Sequence, residues 1–408
     1  MNAFIARQPI FDRELAVVGY ELLFRSGFEE CFSCPDLDRA SSKVIAGSLF
    51  LPRLDMISRG RKAFINVTRE ALLRDWITLL PPATTAVEII ENIVPDREVL
   101  DACARLRGAG YRLALDDYAE GSRWEPWLDR IDILKVDTLG TRAPFRSALA
   151  KRFALRGPAL LAEKIESQKV YREMRGLGYG MFQGFFFARP TIVPGRDIPA
   201  SQLHRVELLR EIHKSGLDFY AIADIIEREV GLSYKLLRYL NAAFFAWRGP
   251  VASIPHALML LGEREIRTWA TIVVMASMPT DKPDELVNQA LVRGRLCELL
   301  AEPAGFRDRA PDLFLLGAFS LIDALLDYPL DAVLDQIPIA PDVKAALLGD
   351  AGPLRDVLEL ATAYGDFDWV RVSAAASRLS LDEGIVPDLY VEALEWCDDT
   401  RGVGEAAA

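Results

Sequence analysis

At 408 residues the chain exceeds one typical domain, which predicts two. A composition of 51% hydrophobic and 26% charged residues is ordinary for a globular protein and ample for a large core. The net charge of -11 excludes a broad electrostatic grip on nucleic acid or on an anionic membrane, so neither is expected as a partner.

The N-terminal stretch Met1 to Ile10 carries Arg7 and Pro9, which argues against a signal peptide. The longest apolar run, around Trp269 to Met278, is too short to span a bilayer, and the expected location is cytoplasmic. Phe4 to Ile10 and Val17 to Phe24 are apolar and rich in β-branched residues, with a polar turn at Asp12-Arg13-Glu14 between them, and predict a hairpin. Glu21 ends the alternating part of its second strand. Asp36 to Ile57 has helical spacing that Pro52 must kink or end.

Strand–helix alternation then runs to about Phe187. Ala63-Phe64-Ile65 stops at Asn66, Ala86-Val87 at Glu88 with Glu91 just after, and Leu113-Ala114-Leu115 at Asp116-Asp117. Ile133-Leu134 stops at Lys135-Val136-Asp137, Leu160-Leu161-Ala162 at Glu163 with Glu166 beyond, and Met181-Phe182 at Gln183. Six apolar runs, about 20–28 residues apart, each end in a residue able to meet a metal or a phosphate. Asp96–Leu106 and Gln168–Leu177 predict helices, each followed by a glycine suited to a C-terminal cap. The expected fold is a mainly parallel sheet closed into a barrel, whose strand C-termini gather these residues at one mouth.

Three prolines and a glycine between Arg189 and Pro199 break the rhythm, so residues 191–200 are expected as a linker after a barrel domain of residues 1–190. From Ser201 the periodicity is helical: Ser201–Lys214, Tyr220–Glu229, Ser233–Phe245, Ser253–Leu261, Glu263–Met278, Asp284–Leu300 and Asp312–Leu326, with more to Glu395. Residues 201–400 therefore predict an all-α domain, and 401–408 a tail.

The histidines, three in all, make a histidine-rich metal centre or a Ser-His-Asp triad an unlikely basis for chemistry. The Cys31-x-x-Cys34 pair has no second pair to complete a zinc set and is expected to be a bystander. Any metal must then sit on oxygen ligands, which points to hard divalent ions. Acids crowded at one mouth repel by about 4 kcal/mol per pair at about 4 Å and an effective dielectric near 20, unless cations lie between them. Two such ions can clamp a phosphodiester and generate a hydroxide. Lys135 could neutralise a phosphate oxygen or hold the attacking water, and Gln183 could orient water or a ligand base. Two alternatives stand beside this: the acids cap helices or form surface salt bridges, or Lys135 is a Schiff-base lysine on an aldolase-like barrel.

Residues 1 to about 190 resemble the EAL family of bacterial phosphodiesterases, which linearise cyclic di-GMP on a modified (β/α)8 barrel. The signature reads Glu21-Leu22-Leu23-Phe24-Arg25, preceded by Gln8-Pro9-Ile10. Asn66, the Glu88/Glu91 pair, Asp116-Asp117, Lys135-Val136-Asp137, Ala162-Glu163 with Glu166, and Gln183-Gly184 match the family's later motifs in order. The resemblance implies that Glu21, Asn66, Glu88 and Asp116 hold one Mg or Mn ion and that Asp117 helps hold a second. It makes Glu163 the general base or a water-orienting acid, with Lys135 beside it, and Gln8, Arg25 and Gln183 contacts to substrate. Glu91, Asp137 and Glu166 would act in support.

The chain departs from the family after Asp117, where Tyr118-Ala119-Glu120-Gly121-Ser122-Arg123-Trp124 replaces the usual Phe-Gly-Thr-Gly-Tyr loop that orders the ligands and aids dimerisation. Leu22 stands where the signature has Ala, and Gly180 where many members carry an acid. A ligand misplaced by about 1 Å can lower a rate on the order of 100-fold, so weak or gated activity is one expectation. Residues of about 200–400 resemble the HDOD domain through Leu236–Ala242 and through Ser253-Ile254-Pro255-His256-Ala257-Leu258 to Leu261-Gly262. A metal-binding relative would carry His-Asp after Gly317, whereas this chain has Ser320-Leu321. His256 is expected to pack or cap rather than bind metal, and the helical half to regulate or to bind an unidentified protein partner. The expected fold is thus α/β plus all-α, a TIM-like barrel followed by an HDOD domain, and a homodimer is among the assemblies the resemblance allows. The expected activity is hydrolysis of cyclic di-GMP; the alternative is a degenerate receptor or scaffold without turnover.

Overall fold

The computed structural model describes residues 3–26, 51–188, 207–214, 216–227, 236, 253–276 and 283–405. The chain divides into two compact units, residues 1–189 and 190–408. The stretch expected as a linker, the Cys31/Cys34 pair and most of the Leu236–Ala242 motif lie outside the described residues, as does the 36–50 part of the first expected helix.

The first unit is a closed eight-stranded barrel in sequence order. Its strands are β1 (Ala3–Phe11), β2 (Val17–Ser26), β3 (Lys62–Val67), β4 (Thr85–Ile89), β5 (Arg112–Leu115), β6 (Ile133–Asp137), β7 (Ala159–Glu163) and β8 (Met181–Gln183). β1 runs antiparallel to both β2 and β8, and the remaining pairs are parallel. The hairpin and the mainly parallel closed sheet therefore match the sequence expectation. The helices α1 (Leu51–Ile57), α2 (Arg69–Leu73), α3 (Arg97–Gly108), α4 (Ala143–Phe153) and α5 (Gln168–Leu177) lie in the connections.

Side chains two apart on a strand share a face, and that periodicity builds the mouth. Ile10, Phe64, Ala86, Ala114, Ile133 and Leu161 form one buried apolar cluster inside the barrel. Two residues beyond them along each chain, towards the strand C-termini, stand Asn66, Glu88, Asp116, Lys135 and Glu163. On antiparallel β1 the order reverses, and Gln8 precedes Ile10, paired with Glu21 across the sheet. One apolar layer thus floors one polar layer. Gly19 is the inward position of β2 below Glu21; a Cβ there would come within 2.7 Å of the Lys62 carbonyl and 2.8 Å of the Phe64 ring, so its absence makes room for that ring.

Helix ends follow their side chains. Asp96 caps α3 by accepting from the Val99 amide, and Ser167 caps α5 by accepting from that of Val170. Gly178 closes α5 in the left-handed region at φ +107°, as expected. The expectation for α3 is corrected by two residues: Gly108 is its last helical residue, Ala109 is the cap, and Gly110 takes the positive φ. The loop after Asp117 is anchored by two buried aromatic residues. The Tyr118 hydroxyl bonds Glu125, and the Trp124 indole donates to the Ile93 carbonyl at 2.9 Å.

The second unit is helical throughout its described residues. The helix Asp284–Leu300 buries twelve of its 17 residues and packs against Ala310–Phe319, Pro353–Gly365 and Val386–Glu405. A Cβ on Gly317 would collide with the Arg293 backbone, so these helices cross closely only because that position is glycine. Half-buried Arg293 donates to the Ser320 hydroxyl at 2.9 Å. His256 lies in the first turn of Ile254–Leu261, which Ser253 caps. Among the described residues no helix is long and apolar enough to cross a membrane.

Candidate active site at the barrel mouth

Lys135 is the centre of the polar layer and is only 1% exposed. Its ammonium lies 3.1 Å from Glu21 Oε2, 3.1 Å from Asp116 Oδ1 and 2.8 Å from Glu163 Oε1, and it also bonds Glu88 Oε1. Five strands thus bring one cation and four carboxylates into contact. Asn66 Nδ2 donates to Glu21 Oε1 at 3.0 Å, and Gln183 Nε2 donates to Glu21 Oε2 and to Gln8 Oε1, both at 2.7 Å. Gln8, Glu21, Asn66, Glu88, Asp116, Lys135, Glu163 and Gln183 are therefore one connected network.

That network leaves acceptors over. Glu88 Oε2, Glu163 Oε2, Asn66 Oδ1 and Gln183 Oε1 are buried and find no hydrogen-bond partner among the described residues. A buried acceptor without a donor costs about 1–3 kcal/mol, and four in one mouth are the signature of a set that a cation would complete. The donors are oxygens only, which fits a hard divalent ion. Around the rim Glu91, Asp116 and Asp117 form a further group, with one carboxylate oxygen of each within 4.8 Å of the others.

Burial pushes the Glu88 carboxyl well above the usual carboxylate range; Glu21 adds to this and Lys135 opposes it. Burial likewise pushes Glu163 up to about 8, against the pull of Lys135 and with the help of Asp116 and Glu21. For Lys135 burial alone would lower the ammonium, but Glu163, Glu21, Glu88 and Asp116 outweigh it and hold the lysine well above its ordinary value. Asp117 is raised by burial and by Asp116 beside it.

A pH dependence follows. In the metal-free protein Glu163 binds its proton more tightly than in the unfolded chain, so its contribution to stability is full below its ordinary value of 4.5 and lost as pH rises to about 8. A divalent ion held beside it would favour the ionised carboxylate and so compete with that proton. The rise in melting temperature on adding Mn is therefore expected to grow between pH of about 6 and about 8.5. Scanning calorimetry at both values checks it, and an equal rise at both would show Glu163 already ionised.

Other expected residues play different parts. Asp137 is turned to its own loop, where Oδ1 accepts from the Leu139 and Gly140 amides at 2.7 and 3.0 Å and Oδ2 meets Lys164 at 2.8 Å. Glu166 is exposed at the surface beyond β7. Arg25 lies in β2 opposite Phe4, but its side chain is outside the described residues. The sequence reading missed Thr138, whose hydroxyl donates to the Glu163 carbonyl at 2.8 Å and fixes the end of β7. It also missed Lys164, which reaches Asp117 at 3.3 Å. A lysine directly after a strand-end acid was the available signal. Gly184, after Gln183, takes φ +144°, and a Cβ there would collide with the Ile165 backbone, so the chain passes this point only as glycine.

Comparison with known proteins gives a family match, two relatives and a structural neighbour. A family model described as the HDOD domain matches residues 198–323. The chain is 34% identical over 405 residues to YuxH of Bacillus subtilis, an uncharacterized protein, covering 97% of this chain and 98% of the relative. It is 32% identical over 402 residues to the cyclic di-GMP phosphodiesterase CdgJ of Vibrio cholerae, covering 98% of this chain and 93% of the relative. Among solved structures it is similar to BlrP1 of Klebsiella pneumoniae in a complex with manganese and cyclic di-GMP, at 22% identity and a TM-score of 0.38, over 45% of this chain and 55% of that one.

Proposed function

The chain belongs to the EAL–HDOD family, and from that premise we propose that its barrel is a cytoplasmic, metal-dependent phosphodiesterase that opens cyclic di-GMP to the linear dinucleotide. One observation carries the proposal: four carboxylates from four strands converge on Lys135 while Glu88, Glu163, Asn66 and Gln183 keep buried oxygens without donors. The relative CdgJ, matched over 93% of its length, is named a cyclic di-GMP phosphodiesterase.

Glu21, Asn66, Glu88 and Asp116 would hold one Mg or Mn ion, and Asp117, with Asp116 and Glu91 beside it, would share in holding a second. When bound, such ions supply the positive charge that admits a diester to an acidic mouth and make a water acidic enough to attack. Glu163 would act as the base through its Oε2, which has no hydrogen-bond partner among the described residues, and its raised affinity for a proton suits it to work near neutral pH. Lys135 keeps the carboxylates close enough to act together and carries positive charge towards the phosphate. Gln8 and Gln183, tied to each other and to Glu21, line the substrate side. Arg25 is assigned to substrate by its place in the signature alone.

The assay is direct. Full-length protein with Mn or Mg is expected to convert cyclic di-GMP to the linear product, to stop on chelation and to recover on adding the ion back. Folded, metal-loaded protein that yields no linear product would overturn the reading. A second reading, a receptor that binds the dinucleotide without turnover, is favoured by the Lys164–Asp117 pair at 3.3 Å. Calorimetric binding with no product would establish it. For the helical unit we infer a non-catalytic role in regulation or partner binding, since Ser320-Leu321 stands where a metal-binding relative would carry His-Asp.

A further inference from the structure

Lys164 stands immediately after Glu163 at φ +53°, in the left-handed region that disfavours every side chain with a Cβ. The turn is held rigidly. Thr138 Oγ1 donates to the carbonyls of Glu163 and Lys164 at 2.8 and 3.2 Å, and the Ile165 amide donates to the Gln183 carbonyl at 3.1 Å. So held, the side chain sets its ammonium 2.8 Å from Asp137 Oδ2 and 3.3 Å from Asp117 Oδ1. Asp137 is fixed by two backbone amides and serves as the lysine's anchor. Asp117, itself at φ +41°, is the contested partner, because it also belongs to the group with Glu91 and Asp116.

A lysine in the left-handed region, ion-paired to an aspartate at a neighbouring strand end, marks a place where the fold supports an unfavourable backbone for the sake of what the side chain does. Glycine would relieve the strain at position 164, yet the chain carries a lysine. We propose that Lys164 is a tethered cation that competes with the second divalent ion for Asp117, so that loading this ion requires the ammonium to withdraw onto Asp137. This rests on the metal reading given above and adds a gate to it. The two ions then bind unequally, and the weaker site is the one beside Lys164. Lys164 touches no reacting atom in this scheme; it sets when the site is complete.

The test is Mn binding to the full-length chain, followed by electron paramagnetic resonance of free Mn and by calorimetry. Wild type is expected to show one tight and one weak mouth site. Lys164→Met and Lys164→Gly are both expected to tighten the weak site about fivefold or more, while Lys164→Arg leaves it weak. The Met and Gly variants differ in backbone strain but share the lost charge, so matching isotherms assign the effect to the ammonium. A weak site of unchanged affinity in both variants overturns the gate and leaves the phosphodiesterase reading standing. Absence of any mouth site in wild type and in Lys164→Met overturns the metal reading and the gate with it.

Discussion

Replacing Lys135 with methionine is expected to lower the stability of the metal-free barrel by about 3–5 kcal/mol at pH of about 8, the usual effect of removing one partner of a buried ion pair. Methionine fills much of the lysine's volume, so the loss reports charge rather than a cavity. Lys135 is 1% exposed and touches Glu21, Glu88, Asp116 and Glu163, so without it four carboxylates face each other with no cation between them. The variant has two remedies, and each gives a signature. Protonation is the first: Glu88 and Glu163 already favour the neutral form through burial, so the deficit is expected to shrink below pH of about 6. Divalent cations are the second, and Mn is expected to stabilise Lys135→Met by more than it stabilises wild type. Urea unfolding read through hydrogen exchange of the strand amides isolates the barrel from the helical unit. A variant as stable as wild type at pH of about 8 would show that the ammonium does not hold this layer together.

The mouth was legible in the sequence because a strand has a period of two. Phe64 to Asn66, Ala86 to Glu88, Ala114 to Asp116, Ile133 to Lys135 and Leu161 to Glu163 are the same step repeated, and each step moves one layer up the barrel on the same face. A one-residue slip would have put these side chains outside, so the recurrence alone predicts their convergence. What the pattern could not show is who pairs with whom. Lys135 was expected to meet a phosphate oxygen or the attacking water, whereas here its donors are taken by carboxylates from four other strands, an arrangement set by barrel closure rather than by local sequence. Asp137 was expected in support of the site, but its neighbours Leu139 and Gly140 present amides that claim one oxygen, and Lys164 claims the other. Lys164 itself reads as a spacer between Glu163 and Glu166 until its backbone dihedral is known. The cap of α3 was misplaced by two residues for the same reason: Gly108 and Gly110 are equally permissive, and only the φ values tell which one turns the chain.

The loop after Asp117 bears on whether the barrel turns over its substrate. Its sequence departs from the family pattern, and sequence alone leaves open whether it can order the ligands. In the structure Tyr118 and Trp124 are 2% and 1% exposed, with Trp124 bonded to Ile93 and the Tyr118 amide bonded to the Lys135 carbonyl at 2.9 Å. Tyr118 and Trp124 therefore anchor this segment, directly against β6 at the barrel mouth. That favours the hydrolytic reading over a receptor whose ligands have lost their support, and it makes the behaviour of Glu163 decisive.

Glu163→Gln is expected to reduce turnover on the order of 10³-fold while leaving the barrel folded and able to bind cyclic di-GMP. The substitution is nearly isosteric. Its side-chain carbonyl can still accept from Lys135, which now lies 2.8 Å from Oε1, so the network at the centre of the mouth survives. What is lost is the proton affinity of the unpartnered Oε2, the one oxygen of this residue that no neighbour occupies. Wild-type turnover is expected to rise with pH as Glu163 loses its proton, with bound cations shifting that limb below the value of about 8 that burial sets in the metal-free protein. In Glu163→Gln the residual rate is expected to lack that limb. Single-turnover chemistry, calorimetric affinity and the pH profile separate the possibilities. A large fall in rate with unchanged affinity and a flattened profile assigns the proton transfer to Glu163. A fall matched by lost affinity would make it a binding residue. Turnover within about tenfold of wild type, too small a loss for a general base, would place the base elsewhere in the mouth.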